Sequence, residues 1–449
     1  MKKTQNFTEG QIFLPLLRFA MPVLLAMLLQ TLYGAVDLLV VGQFGTAADV
    51  SAVSTGSMIM RTVTVIITGT SMGLTVLVGR KIGEGKGREA GSIIGSGIWL
   101  FGMMAVVLSV VMIFAAPVVA RWMQTPAEAF AKTVSYMVIC SVGTVFIVAY
   151  NLVGSIFRGI GDSTVPLITV AIASVLNVLG DLLLVAVIPL GASGAAIATA
   201  AAQAVSVVLS LLVIRRRQLP FEFSAKEIRP VAEHIRTTLR LGIPIALQDL
   251  LVSISFLFIG AIVNSLGVTA SAGVGVADKL SGFIMLLPSA FSQSMSAFVA
   301  QNMGACKPER AKKALYCGIA ASFAIAVVMA WMSFFHGDTM SALFAKDPAV
   351  IDASFAYLKA YAIDTLLTAF LFCYIGYFNG TGDTLFVMLQ GLVGAFGVRL
   401  PVSWLISRQS GATLFHIGLA TPAASVVQIL MFVCYMVWVN RRQRKQIGV

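Results

Sequence analysis

The chain reads as an all-α integral membrane protein. The expected architecture is twelve transmembrane helices in two parallel six-helix repeats, an amino-terminal and a carboxy-terminal lobe, around a central cavity. Three observations predict this. Of 449 residues, 58% are hydrophobic and 11% charged, with a mean hydropathy of +0.92. A soluble chain would carry about 25% charged residues. The apolar residues fall in twelve runs, each long enough to cross roughly 30 Å of hydrocarbon. Finally, the first six runs resemble the last six in order and in their connecting motifs.

The runs lie at 14–43, 52–79, 92–118, 132–156, 164–187, 193–214, 241–266, 271–300, 314–336, 351–377, 385–407 and 416–439. The opening "MKKTQNFTEGQIFLPLLRFA" has neither the short apolar region nor the small-residue cleavage site of a signal peptide, so the first run is expected to stay as a span. The expected organisation is an amino-terminal lobe at 1–214, a linker at 215–240 and a carboxy-terminal lobe at 241–449.

A net charge of +12 raises the question of a nucleic-acid partner. The basic residues, however, sit in short connections: "GRKIGEGKGRE", "RRRQLPFEFSAKEIRPVAEHIRTTLR", "CKPERAKK" and both tails. By alternation of the spans, about 22 basic residues fall on that side and about four on the other, Arg121, Lys132, Lys346 and Arg408. This asymmetry predicts cytoplasmic termini and linker in a cell (inner or plasma) membrane, and no nucleic acid. The five cysteines, Cys140, Cys306, Cys317, Cys373 and Cys434, are scattered singly and read as core residues rather than a disulfide framework or metal site.

The repeat is visible at matching positions. "VGRKIGEGKGREA" matches "VAQNMGACKPERA", pairing Gly83 with Gly304, Lys86 with Lys307 and Ala90 with Ala311. "RGIGDST" matches "NGTGDTL", pairing Gly161 with Gly382 and Asp162 with Asp383; every pair is 221 positions apart. Pro22 and Pro244 fall one position off that spacing. Six spans per unit is an even number, so the copies point the same way, with a pathway expected between them.

Polar residues inside the spans carry the functional reading, because a charge in hydrocarbon costs about 2.5–3.5 kcal/mol on insertion scales. Asp37 is the first, after eighteen residues without a formal charge. It lies about six residues from the end of span 1, as Asp181 does in span 5, with Asn177 one helical turn before it; Thr199 is about six residues into span 6. All four are therefore expected roughly 9 Å below one surface. Two neighbouring carboxylates in a poor dielectric cannot both ionise cheaply, so the cluster suits a proton; its oxygens also suit Na⁺. The plainer reading is that each acid caps a helix or pairs with a base, but spans 5 and 6 hold no lysine or arginine.

Gln30 and Tyr33 share the face of Asp37 and are candidate substrate or supporting contacts, as are Tyr136 and Asn151 on span 4; hydrogen bonding between helices explains the first pair equally well and is the better account of the second. The second half is not a copy: Ile259 stands where Asp37 would be. Its buried acids are Asp249 and Asp364, a possible second site near mid-membrane. Asp278 and Lys279 are expected to pair elsewhere, and Arg61 and Arg399 to be structural charges. The turns "RGIGDST" and "NGTGDTL" lack the Gly-Lys-Ser/Thr of a phosphate loop, and read as tight turns in which Asp162 or Asp383 caps the next helix. No nucleotide-binding or other cofactor is expected.

"MPVLLAMLLQTLYGAVDLLVVGQFG", "VGRKIGEGKGREA" after span 2 and "RGIGDST" after span 4, set in two six-span repeats, resemble the multidrug and toxic compound extrusion (MATE) family over the whole chain. Asn177, Asp181, Asp37 and Thr199 resemble its DinF-like branch, whose amino-terminal half carries the cation site. The resemblance implies an exporter of amphipathic, often cationic compounds, driven by H⁺ or Na⁺, with these four residues as the coupling site and Pro22 as a bend in span 1. A complete pathway within one chain makes a monomer the expected working unit. The NorM-like branch uses a glutamate on span 7, absent here, and an aspartate at a spacing that Asp364 does not match. The runner-up is a flippase for a lipid-linked substrate, whose relatives often have fourteen spans and a cationic cavity. A prenyltransferase lacks its paired aspartate motifs here, and a channel suits the repeat pair less well.

Overall fold

A computed structural model describes residues 7–216, 219–221, 223–409 and 411–447, without the side chains of 225 and 443–447. Of the basic residues counted above, Lys2, Lys3, Arg217 and the side chains of Arg444 and Lys445 lie outside the described residues. Among the described residues every regular element is helical. Twelve helices are long and apolar enough to cross a membrane: α1 Phe13–Phe44, α2 Ala47–Gly83, α3 Gly87–Trp122, α4 Ala127–Gly159, α5 Thr164–Val187, α6 Gly191–Arg216, α7 Ala232–Asn264, α8 Val268–Gly304, α9 Pro308–Phe335, α10 Pro348–Thr381, α11 Thr384–Ser407 and α12 Leu414–Arg442. The chain is a multi-pass membrane protein with the duplicated six-helix architecture.

Local chemistry explains the ends and breaks. Thr46 and Asp49 form a reciprocal capping box at the start of α2. Asp347 caps α10, which opens on Pro348 and closes on Gly382 in the left-handed conformation, φ 93°. Gly161, its repeat mate, has φ 83°, so both glycines make turns that other residues would strain. Within α8 the helix breaks at Met285. Pro288 accounts for it, having no N–H to offer the Ile284 carbonyl. α1 runs uninterrupted through Pro22. The last turns of α5, Leu182–Val187, and the middle of α11, Val393–Arg399, widen into π-helix.

The two turn aspartates differ. Asp162 caps as expected, its Oδ1 accepting from the backbone N–H of Thr164 (2.9 Å) and Val165 (3.3 Å). Asp383 does not: its carboxylate takes the hydroxyls of Thr381 (2.8 Å) and Tyr435 (3.4 Å) and makes no cap bond to α11. The reason is competition, since two hydroxyl donors are in reach and its backbone is not in the extended form that aims a side chain at the next turn.

By contacts the chain divides into two compact units: Met1–Gly10, Arg18–Ala246 and Ala300–Pro308; and Gln11–Leu17, Leu247–Val299 and Glu309–Val449. α2 and α8 are the most buried helices, followed by α4 and α10, which are repeat mates. In lipid, helices associate through close packing and hydrogen bonds rather than hydrophobic burial. Accordingly α2 meets α4 over small residues: a Cβ on Gly56 would stand 2.3 Å from the Tyr136 ring, and Thr75 donates to the Ser155 carbonyl (3.1 Å). Within the first unit the ends of α2 and α8 cross at backbone contact. A Cβ on Gly83 would meet the Gln301 carbonyl oxygen at 1.9 Å, and one on Gly304 the Arg80 carbonyl oxygen at 1.9 Å. Arg80 and Gln301 are themselves repeat mates, so this crossing is its own repeat image.

Candidate functional site

The amino-terminal unit gathers the four polar residues from three helices. α1 presents Gln30, Tyr33 and Asp37 at spacings of three and four, one face of a helix. α5 presents Asn177 and Asp181 one turn apart, and the π-turns begin at the next residue, Leu182. Such widened turns recur at functional sites because they free a backbone group and re-aim side chains. α6 brings Thr199, whose hydroxyl donates to Asp37 Oδ2 at 3.2 Å and accepts from Asn177 Nδ2 at 3.3 Å. The Asp37 and Asp181 carboxyl groups face each other within hydrogen-bonding reach. Asp37 is 6% exposed, Asn177 1% and Asp181 0%.

The decisive feature is what these oxygens do not have. Asp37 Oδ1, both oxygens of Asp181 and Asn177 Oδ1 are buried with no hydrogen-bond donor among the protein's own groups. Buried polar atoms are paired, with protein or water, in more than about 90% of cases, so four acceptors gathered at one point without a donor from the protein form a cluster suited to a donor or a cation. A proton shared between the two carboxyls turns one acceptor into a donor; a hard cation takes oxygen ligands directly.

Asp49 shows the contrast, and it is a residue that sequence reasoning missed. It is as buried as Asp37, yet satisfied. Its Oδ2 accepts from Lys132 Nζ (2.7 Å), Thr46 Oγ1 (2.6 Å) and Thr46 N (3.0 Å), and its Oδ1 from Ala192 N (3.1 Å) at the start of α6. Gly191 makes room for this, with φ 56° and a hypothetical Cβ only 2.4 Å from Asp49 Oδ1. The capping spacing from Thr46 to Asp49 was the available signal.

The supporting residues are placed as follows. Gln30 donates to the Tyr150 hydroxyl (2.8 Å), and Gln203 to the Tyr33 hydroxyl (3.2 Å); neither partner is apparent from spacing. Tyr136 lies beside Cys140 and within electrostatic reach of both carboxylates. Asn151 turns to α2, accepting from Thr68 (3.2 Å), and is not part of the acid cluster's hydrogen bonds.

In the carboxy-terminal unit no hydrogen bond or ion pair joins Asp249 to Asp364. Asp364 is 2% exposed and accepts from Ser425; Arg399 lies in its field, donates to Ser255 (3.3 Å) and stacks 4.4 Å over Phe256. Asp249 is exposed on α7. Asp278 and Lys279 are exposed on α8 without an ion pair, and Arg61 is exposed on α2. No cluster of three or more metal-ligating side chains occurs among the described residues.

Comparison with known proteins agrees with this architecture. The "Probable multidrug resistance protein YpnP" of Bacillus subtilis is 26% identical over 93% of this chain and 93% of its own length. The "Multidrug export protein MepA" of Staphylococcus saprophyticus is 23% identical over 91% and 90%. A structure described as the outward-facing conformation of a multidrug resistance MATE family transporter of the MOP superfamily superposes with a TM-score of 0.92 at 18% identity, over 99% of this chain and all of that one. The MatE family model matches twice, at residues 22–183 and 244–405, once in each repeat. The chain therefore belongs to the MatE family of membrane transporters.

Proposed function

We propose that the protein is a cation-coupled antiporter that exports amphipathic, often cationic compounds by alternating access, of the DinF-like kind. The orphaned oxygens of Asp37, Asp181 and Asn177 carry this reading. H⁺ or Na⁺ satisfies them, neutralises the cluster and changes the packing of α1; a cationic substrate is attracted only when the cluster is negative. Ion and substrate thus exclude one another, which is the requirement for exchange. Thr199 orients Asp37, while Gln30, Tyr33 and Tyr136 stand as its neighbours. The coupling step is assigned to the amino-terminal cluster and not to Asp364, which is already engaged by Ser425 and Arg399. The basic connections support a reading in which both termini are cytoplasmic and the chain lies in the inner or plasma membrane. One chain holds a whole site, so the monomer is the working unit, and no cofactor beyond the ion takes part.

Dye efflux from liposomes holding purified protein tests this, with a pH gradient and a Na⁺ gradient imposed separately. Uphill efflux under one gradient, lost in Asp37→Asn, is the expected result. Uphill efflux that survives in Asp37→Asn moves the coupling elsewhere; no uphill movement under either gradient favours a flippase for a lipid-linked substrate.

A further inference from the structure

From the acid cluster a row of polar side chains continues inside the amino-terminal unit. Along one face of α1 Asp37 is followed by Tyr33 one turn away and by Gln30 three residues further, and Gln30 crosses to Tyr150 on α4. The Tyr33 hydroxyl accepts from Gln203, and the Tyr150 hydroxyl accepts from Gln30. Tyr150 in turn lies in the field of Arg158, two turns further along α4. These side chains are half-buried. Hydroxyls and amides in sequence are the groups along which a proton or a small cation moves.

This polar column ends on a charge without a counterion. Among the described residues no carboxylate pairs with Arg158, and its Nε is buried with no acceptor. Its side chain runs back along α4, where Gly154 leaves room: a Cβ there would stand 3.2 Å from Nη1. Matching the carbonyl end of α4 would explain a basic residue in its last turn. It does not explain a guanidinium directed into the bundle toward Tyr150. Past Arg158 the helices close, with Gly159 against Thr75 and Val78, and Gln301 Nε2 donating to the Gly159 carbonyl (2.8 Å).

We propose that Arg158 is a cation barrier, closing this column at the basic-loop end so that an ion at Asp37 and Asp181 cannot drain through the bundle. The proposal rests on the reading of that cluster as the coupling-ion site and of the basic loops as cytoplasmic. A fixed positive charge in a narrow polar path repels protons and metal cations alike, as an arginine does in a selective pore. The ion then reaches the cytoplasm only through the transport cycle, which keeps exchange obligatory.

The test is passive ion entry into liposomes holding the full-length protein without dye, driven by a K⁺ diffusion potential and read by interior pH- and Na⁺-sensitive probes. Arg158→Gln is expected to raise the flux of the coupling ion about tenfold or more. Arg158→Lys, which keeps the charge, is expected to stay tight. Adding Asp37→Asn to Arg158→Gln is expected to lower the leak again, because the column loses its ion-binding end. Should Arg158→Gln not yield monodisperse protein, Arg158→Met keeps the apolar stem and serves in its place. Wild-type flux in the neutral variant overturns the barrier, as do equal leaks in the Gln and Lys variants, which point to packing instead of charge. A leak untouched by Asp37→Asn overturns the column as the route. Failure of the antiport reading is a separate result: uphill dye efflux that persists in Asp37→Asn alone.

Discussion

Asp37 and Asp49 stand twelve residues apart, equally buried and oppositely furnished. Asp49 has a donor for each oxygen and an ion pair with Lys132; Asp37 has one neutral donor and faces a second acid. Neutralising each should therefore give opposite signatures. Asp49→Asn removes the charge that pairs with Lys132 and turns one oxygen into an amide NH2, so either the Lys132 and Thr46 donors or the Ala192 N–H lose their acceptor; this is expected to cost about 1–3 kcal/mol of stability, read as a lower melting midpoint in detergent. Asp37→Asn removes a charge that the fold does not pair, so its melting midpoint is expected to hold or rise while uphill efflux is lost. A melt that falls as far for Asp37→Asn as for Asp49→Asn would reduce Asp37 to a structural acid.

At the scale of elements, the packing of helices is set by where backbones touch. Gly83 and Gly304 lie at the crossing of α2 and α8, where an added methyl has nowhere to go but into a carbonyl. Gly83→Ala and Gly304→Ala are each expected to destabilise by about 1–3 kcal/mol, the usual cost of forcing a packed contact apart. Gly102 on α3 has open space around it, and Gly102→Ala is expected to stabilise by about 0.5–1 kcal/mol through helix propensity. Melting curves of the three variants, compared side by side, check both signs. The π-turns belong to this scale too: one follows Asp181 directly and the other ends on Arg399, so each half distorts its fifth span next to a buried charge.

For the whole molecule the testable quantity is orientation. Cys306 is exposed in the connection between α8 and α9, beside Lys307 and Arg310. With the other four cysteines replaced by alanine, a membrane-impermeant maleimide is expected to label Cys306 only after intact cells are permeabilised. Labelling of intact cells would invert the topology, and with it the side from which the acid cluster loads. The same orientation sets the direction of the Arg158 barrier, so the two measurements constrain each other.

Much of this was legible from the chain alone. Hydrocarbon thickness fixes span length, so twelve apolar runs became twelve helices; the 221-residue spacing paired Gly83 with Gly304, each of which lies against the backbone of the other's helix, at Gln301 and at Arg80; and the cost of a buried charge singled out Asp37 and Asp181, with Asn177 one turn away. Tertiary structure decided the partners. Thr199 meets Asp37 across 162 positions, Lys132 meets Asp49 across 83 and Gln30 meets Tyr150 across 120. Periodicity gives the face on which a side chain lies, but not which other face meets it. That is why Asp49 proved satisfied, why Asp383 turned to Thr381 and Tyr435 instead of capping α11, and why the lack of any protein donor to Asp181 could be seen only once three helices were packed.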